Sequence, residues 1–391
     1  MTPNDEQSCC SASEKTSDCC GPSQLVTIPC CDSSSEAETD RRRPGMRIWH
    51  FVAGWLDTPV GVVPQVATHL RWQDHGGAIL MRWGIGRYRY AIAPGLYAVG
   101  NPNPESEVLV TANYKLSFDH LRRHLAGRDL WILVLDTKGI NVWCAAGKGT
   151  FGTDELVRRI RASRLEELVS HRRLILPQLG APGVAAHKVK EQTGFRVVYG
   201  PIYAADLPAF LDAGLKATDS MRRVRFTLWD RLVLTPVELT GLGKSTLLAL
   251  LALVVLSGIG PDIYSLERLW TRGTAALGNF LVGLVCGAVI TPILLPWLPG
   301  RSFAIRGALV GLAAGLGLSA WLTPPPLELL AVMTAVPVLS SWYAMHFTGS
   351  TTFTSPTGVE KEMRRAIPVQ AFALLLALAF WFARAWMGGG A

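Results

Sequence analysis

The first 40 positions hold no basic residue except Lys15 and no long apolar run, so no secretory leader is expected there. The chain contains no HExxH, no CxxC and no GxSxG. Those absences remove the sequence signals of a zinc metalloprotease, a dithiol redox centre and an α/β-hydrolase elbow. Two stretches resemble the end of a phosphate-binding loop, Gly241–Thr246 and Gly147–Thr150, but the leading glycine is missing. Glu238 and Val142 stand where GxxxxGK[ST] needs it, and the first stretch runs into an apolar segment. Iron–sulfur cysteine spacing is also lacking.

Charge is missing in a second, more regular way. Segments 245–261, 273–300, 307–327, 329–359 and 366–383 contain no Asp, Glu, Lys or Arg. A bilayer core needs roughly 20 apolar residues per helix, and each segment with its flanks can supply them. An all-α transmembrane domain of five helices is therefore expected over 245–391. Net charge is +8, yet the first 40 residues carry −7, leaving +15 on the remainder. Arg222, Arg223, Arg225, Arg231 and Lys244 form a basic collar before the first expected span. A collar there suits anionic lipid headgroups, so a lipid bilayer and no nucleic acid is the expected partner. Later loops alternate: Arg268 and Arg272 on side two, Arg301 and Arg306 on side one, none at 323–326, then Lys361, Arg364 and Arg365 on side one. The positive-inside bias predicts a multi-pass protein of the cytoplasmic membrane, large domain inside and C-terminus outside.

Four regions follow in order: a tail at 1–45, an α/β domain at 46–220, a basic linker at 221–244 and the spans. The tail is rich in Ser and acids and is expected to be disordered. Its thiols come as adjacent pairs: Cys9 with Cys10, Cys19 with Cys20, and Cys30 with Cys31. Such pairs suit capture of a soft cation such as Hg(II), or they are incidental. Ala78–Trp83 and Arg87–Ile92 around Gly84-Ile85-Gly86 predict a β-hairpin. Strands are predicted at 108–112, 130–136, 173–176 and 195–199. Helices are predicted at 117–126 from a Ser117 cap, from a Thr153 cap, and near 184–192 and 206–215. That rhythm predicts a sheet whose strand ends line a ligand crevice. The hydroxyl-rich loop 347–358 reads as a connector, and Cys286 as packing.

The stretch Asn141-Val142-Trp143-Cys144-Ala145-Ala146-Gly147-Lys148 stands out. A free Cys is more often a small buried hydrophobe than a reactive group. Here, however, Cys144 follows a strand and a Gly139 turn, small residues leave space beside it, and Lys148 is near in sequence to favour a thiolate. The residue pattern alone leaves both readings open.

These eight residues, with Leu135–Ile140 before and Gly149–Gly152 after, resemble the corrinoid protein of microbial mercury methylation. The resemblance extends through Thr111–Leu116, Leu176–Gly183, Tyr199–Pro201 and the loop 348–358, and covers the chain from about residue 46, though not the cysteine pairs. The α/β half is similar to the corrinoid-binding domain of the corrinoid iron–sulfur protein of acetyl-CoA synthesis. The resemblance implies a Rossmann-like domain binding cobalamin, or a related corrinoid, with its lower base displaced. Asn141, Val142, Trp143, Cys144, Ala145, Ala146, Gly147 and Lys148 would form a short cap helix, with Cys144 as lower axial cobalt ligand. No Asp-x-His-x-x-Gly, the signature of His-ligated corrinoid proteins, occurs. Thr111, Asn113, Gly147, Gly180, Gly183 and Gly200 would contact the cofactor from crevice loops, although each glycine equally suits a turn.

The implied activity is a corrinoid-dependent methyltransferase passing a methyl group from cobalt to inorganic Hg(II). A separate ferredoxin-like [4Fe–4S] protein would donate electrons and could deliver Hg(II), and a further protein would donate the methyl group. Alternatives are a corrinoid methyl carrier of one-carbon metabolism and, in a different class, a membrane protein that binds or transports soft metal. Almost no ionisable residue sits at the centre of a span, which disfavours transport.

Overall fold

Leu130–Leu135 is apolar at every position and buried at every position, as a strand covered on both faces must be. Burying side chains of this size stabilises by about 1.5–3 kcal/mol each. In the computed structural model, which describes residues 49–241, 243–350 and 356–387, this strand is β5 of a seven-stranded mixed sheet. The strands are β1 (Val52–Thr58), β2 (Gly61–Val66), β3 (Gly95–Val99), β4 (Val108–Ala112), β5, β6 (Arg173–Leu176) and β7 (Arg196–Tyr199). Their spatial order is β1-β2-β3-β5-β4-β6-β7. β5, β4, β6 and β7 run parallel, whereas β3 pairs antiparallel to β5 and β1 antiparallel to β2. From β4 the chain adds β5 on one side and β6 on the other. The C-terminal ends of β4 and β6 therefore border a topological switch point, where open α/β sheets form crevices.

Helices in this half are α1 (Trp72–Arg82), α2 (Lys115–Arg122), α3 (Val142–Lys148), α4 (Thr153–Ala162), α5 (Leu165–Leu168), α6 (Ala186–Thr193) and α7 (Leu207–Asp212). Several expectations need correction. Residues 78–92 are not a hairpin: they hold the end of α1, a turn and a 3-10 segment, Arg87–Arg89. The Arg-Tyr alternation imitates a strand, but Asp74 accepts from the N–H of Arg71 and opens a helix. Gly84 and Gly86 at φ +73 and +71 then turn the chain. The hairpin lies earlier, where β1 pairs with β2. Helix α2 starts two residues before Ser117, and Gly152 rather than Thr153 caps α4. Thr153 instead accepts the Ala185 N–H at 2.9 Å.

One buried ionic cluster ties the sheet's first segments together. Lys115 Nζ donates to Asp74 at 2.5 Å and Asp119 at 2.6 Å, and Arg122 donates to both carboxylates at 2.8 Å. Arg122 also reaches the carbonyls of Ala67 and His69. The Lys115 ammonium lies 5.3–5.4 Å from the ring centroids of Trp49, Phe51 and Tyr90. Burial alone would raise the Asp74 carboxyl. Hydrogen bonds from Lys115 and the Arg71 N–H, with the Lys115 and Arg122 charges, hold it well below the usual carboxylate range.

The second half is helical. After α8 (Leu228–Leu232), α9 (Thr235–Thr240) and α10 (Lys244–Leu256), a short hairpin, β8 (Ile259–Gly260) with β9 (Ile263–Tyr264), leads into α11 (Leu266–Leu294). Helices α12 (Phe303–Leu322), α13 (Pro326–His346) and α14 (Pro356–Met387) follow. Among the described residues these four, α11 to α14, are by length and composition apolar enough to cross a membrane, or up to five if the bent pair Leu228–Thr240 with Lys244–Leu256 counts as one. The first expected span is thus shorter than its charge-free segment. Its 13 residues rise only about 20 Å, and a 64° bend precedes them.

Candidate functional site

All the crevice residues proposed from sequence lie at or just beyond the C-terminal edge of the parallel strands. Thr111 is buried in β4, in register with Val134 of β5. Asn113, also buried, follows β4 and organises the loop leaving β5. Its Oδ1 accepts from Thr137 N–H (3.1 Å), Thr137 hydroxyl (2.8 Å) and Gly139 N–H (2.9 Å), and its amide donates to Asp136 at 3.3 Å. The Thr137 hydroxyl also lies 2.7 Å from the Ile140 carbonyl, so its one proton is shared between that carbonyl and Asn113 Oδ1. Lys138 and Gly139 take φ of +58 and +69, and for Lys138 that conformation costs about 1–2 kcal/mol. Asp136 receives both the Lys138 N–H and its ammonium, at 3.1 and 2.5 Å. Burial would raise the Asp136 carboxyl, but these Lys138 contacts lower it below the ordinary carboxylate value. The loop is therefore fixed over every residue from 136 to 140.

It delivers helix α3. Asn141 is its N-cap, accepting the Cys144 N–H at 2.9 Å, and Gly149 at φ +80 ends it. Ala145 and Ala146 are buried, whereas Trp143, Cys144, Gly147 and Lys148 are exposed. Positions 143, 144, 147 and 148 make one helical face, so the Cys144 sulfur and Lys148 share the outward side. Val142 and Asn141 are half-buried at the base. A methyl group added at Gly147 would meet nothing within 4 Å, leaving this face unobstructed.

Gly180 and Gly183 seat the helix. A Cβ on Gly183 would strike the Phe151 carbonyl and come within 3.0 Å of Ala146 Cα, and one on Gly180 would lie 2.6 Å from the Phe151 ring. Phe151 is fully buried, and its N–H donates to the Ala145 carbonyl at 3.1 Å. Gly200 is held by its N–H to Leu176 O at 2.8 Å, and a Cβ there would meet Ile175 at 3.2 Å. Packing accounts for the missing side chain at 180, 183 and 200, and only Gly147 is open. Beneath the loop, Glu155 accepts the Asp136 N–H at 2.8 Å and an Arg159 contact at 2.8 Å. Burial would raise the Glu155 carboxyl, but these hydrogen bonds lower it.

Nothing in the sequence signals that Asn113 organises this loop or that Glu155, an early acid of α4, supports it. Their partners are 23–26 and 19 positions away, a separation that no local pattern displays. Cys9, Cys10, Cys19, Cys20, Cys30 and Cys31 lie outside the described residues, as does part of the hydroxyl-rich loop, 351–355. Among the described residues no group of three or more His, Cys, Asp and Glu could hold a metal ion. Cys144 is thus an isolated sulfur on an exposed helix face, chemically able to give one ligand to a metal supplied within a larger group. Cys286, by contrast, is buried among helices.

The family described as "CO dehydrogenase/acetyl-CoA synthase delta subunit" matches residues 87–211, which contain β3 to β7 and helix α3. Acetyl-CoA decarbonylase/synthase complex subunit gamma of Methanopyrus kandleri is 33% identical over 123 residues, 31% of this chain and 26% of that protein. The subunit gamma of Archaeoglobus fulgidus is 30% identical over 123 residues, with the same shares. The corrinoid/iron–sulfur protein large subunit of Moorella thermoacetica is 30% identical over 122 residues, 31% of this chain and 27% of that protein. The chain thus spans about a quarter of the length of these curated relatives, and their names speak of acetyl-CoA and corrinoid chemistry, not of mercury.

Proposed function

We propose that this chain is a membrane-anchored corrinoid protein of methyl transfer, with Cys144 as lower axial ligand to cobalt and inorganic Hg(II) as methyl acceptor. The observation that carries the ligand assignment is the cap helix, whose buried Ala145 and Ala146 leave Cys144 on an open face beside an unobstructed Gly147. The donor set fits a corrinoid, which brings its own equatorial nitrogens and needs one protein ligand. The similarity to a corrinoid/iron–sulfur protein large subunit supports the cofactor class. The mercury assignment rests on the eight-residue motif at 141–148.

When bound, the corrinoid supplies a cobalt centre able to carry a methyl group. The chain's own residues prepare the ligand. Asn113 fixes the loop 136–139, Asn141 caps the helix, and the Phe151–Gly180–Gly183 packing seats it, so the backbone that carries the sulfur is set before any cofactor arrives. A thiolate donates more electron density than an imidazole. With the corrinoid bound, Cys144 would offer the metal a strongly donating sulfur, a donor suited to an electrophilic methyl acceptor such as Hg(II). Electrons would come from a separate ferredoxin-like [4Fe–4S] protein. By the loop charges, the sheet domain faces the cytoplasm and the C-terminus lies outside.

A second reading is a methyl carrier of one-carbon metabolism, favoured by the acetyl-CoA decarbonylase/synthase names of the curated relatives. One assay separates them. The purified full chain, charged with a methyl group and reduced by an iron–sulfur protein, is offered Hg(II) or a thiol acceptor. Methylmercury formation that disappears in Cys144→Ala supports the first reading. Transfer to the thiol alone supports the second, and methylmercury formed at an unchanged rate by Cys144→Ala would refute the role given to Cys144.

A further inference from the structure

Helix α1 presents an apolar stripe outward. Asp74 and Met81 are buried on its inner side, while Trp72 (79% exposed), Ile79 (55%), Leu80 (47%) and Trp83 (43%) face out. With Gly76 these positions recur at i, i+4, i+7, i+8 and i+11, a single helical face, and exposed Ile85 extends it. Scattered exposed apolar residues are ordinary, but a continuous stripe is not. A tryptophan stands at each end of the stripe, and indole rings concentrate where apolar and wet surroundings meet. Arg71 and Arg89 nearby are exposed and suit anionic headgroups.

The stripe is also attached to the apolar helices. The Thr240 hydroxyl donates to the Trp83 carbonyl at 2.9 Å, four residues before α10 begins at Lys244. The segment leading to Thr240 is seated on the ends of the long helices. Phe226 and Leu234 pack against Leu295, Phe303 and Phe347, and Arg231 donates to the carbonyls of Pro292 (3.2 Å) and Ile293 (2.6 Å). Trp83 therefore sits beside the point where the outward apolar surface of the helical half starts.

We infer that α1 and Trp83–Ile85 form an interfacial anchor lying in the headgroup–acyl boundary of the bilayer, a surface continuous with that of the long helices. This rests on reading those helices as membrane spans. The anchor also reaches the candidate site by a short route. A few residues on, the Tyr90 carbonyl accepts the Lys115 N–H, and Ala91 bridges to Tyr114, next to Asn113. The anchor thus fixes how far from the bilayer the loop positioning Cys144 is held.

The test uses the full chain in phosphatidylcholine–phosphatidylglycerol vesicles with a carbene photoreagent that partitions into the acyl region, mapped by peptide mass spectrometry. The expected result is labelling of residues 72–85 about tenfold above the exposed helix α6, and comparable to the ends of α12 and α13. In Ile79→Ser/Leu80→Ser that labelling should fall to the α6 level while α12 and α13 stay labelled, showing that the fold persists. Labelled long helices with an unlabelled 72–85 segment in the unaltered protein would overturn the anchor and assign the stripe to a protein partner or a second copy. Unlabelled long helices would overturn the membrane reading itself, and the anchor with it.

Discussion

The two halves of the chain are built on opposite rules. In the sheet half, large apolar side chains fill the interior, and the polar groups enclosed with them are bonded to one another, as in the Asp74–Lys115–Asp119–Arg122 cluster and around Asn113. In the helical half, Leu247, Leu251, Phe372 and Leu375 point outward, and small residues line the contact between α12 and α13. A Cβ on Gly311 would lie 2.7 Å from Pro337 Cα and 2.8 Å from the Val336 carbonyl, and Ser340 donates to the Gly307 carbonyl at 2.6 Å. Close approach over small residues is how helices associate where the surroundings are as apolar as leucine. The contrast gives the α1 stripe its meaning, because that stripe obeys the rule of the other half.

The contrast breaks most severely at Arg122. Arg122→Ala takes one of two Lys/Arg partners from each of two buried carboxylates, leaving Lys115, and removes the side-chain donor to two carbonyls; breaking a buried pair costs about 3–5 kcal/mol. Chemical denaturation followed by sheet-half tryptophan signals should show that loss, with helicity of the apolar half kept. In the other half, Gly311→Leu should separate α12 from α13 and cost about 1–3 kcal/mol, read as a lower midpoint of thermal unfolding in detergent. An unchanged midpoint would mean that the close approach there contributes nothing.

Asn113→Ala acts more locally. It leaves the Thr137 and Gly139 N–H groups without their acceptor, at about 1–3 kcal/mol, and should loosen residues 136–148. Hydrogen exchange should accelerate across that loop and α3 but not in β5, and exchange confined to the wild-type pattern would refute the organising role. The smallest effect is set by pH. The Asp74, Asp136 and Glu155 carboxyls are depressed in the folded chain, so their stabilisation is complete above the unfolded value of about 4 and is lost as pH falls below it. Acid titration should therefore weaken the sheet half below about pH 4, and flat stability through that range would contradict the assignment.

Legibility in the sequence followed the same division. Val108–Ala112 and Leu130–Leu135 are readable because strands buried on both faces are uniformly apolar, and the long helices because a long stretch inside each lacks Asp, Glu, Lys and Arg. Residues 78–92 imitate a hairpin by their alternation, and the Arg71–Asp74 cap and the turn glycines override it. The cap helix at 142–148 came only from resemblance, since seven residues carry too little periodicity. The ionic cluster was invisible because Asp74 meets Lys115 across 41 positions and Arg122 across 48. The length of α10 depends on the 64° angle between Leu228–Thr240 and Lys244–Leu256, which no hydropathy count registers.

Cys144 is proposed as a cobalt ligand held ready by its helix. The most direct measurement is the visible spectrum of the full chain purified with corrinoid, in wild type and in Cys144→His. The account predicts bound corrinoid in both, with a spectrum that changes between them because the axial donor has changed from sulfur to nitrogen. Identical spectra with equal corrinoid content would contradict it.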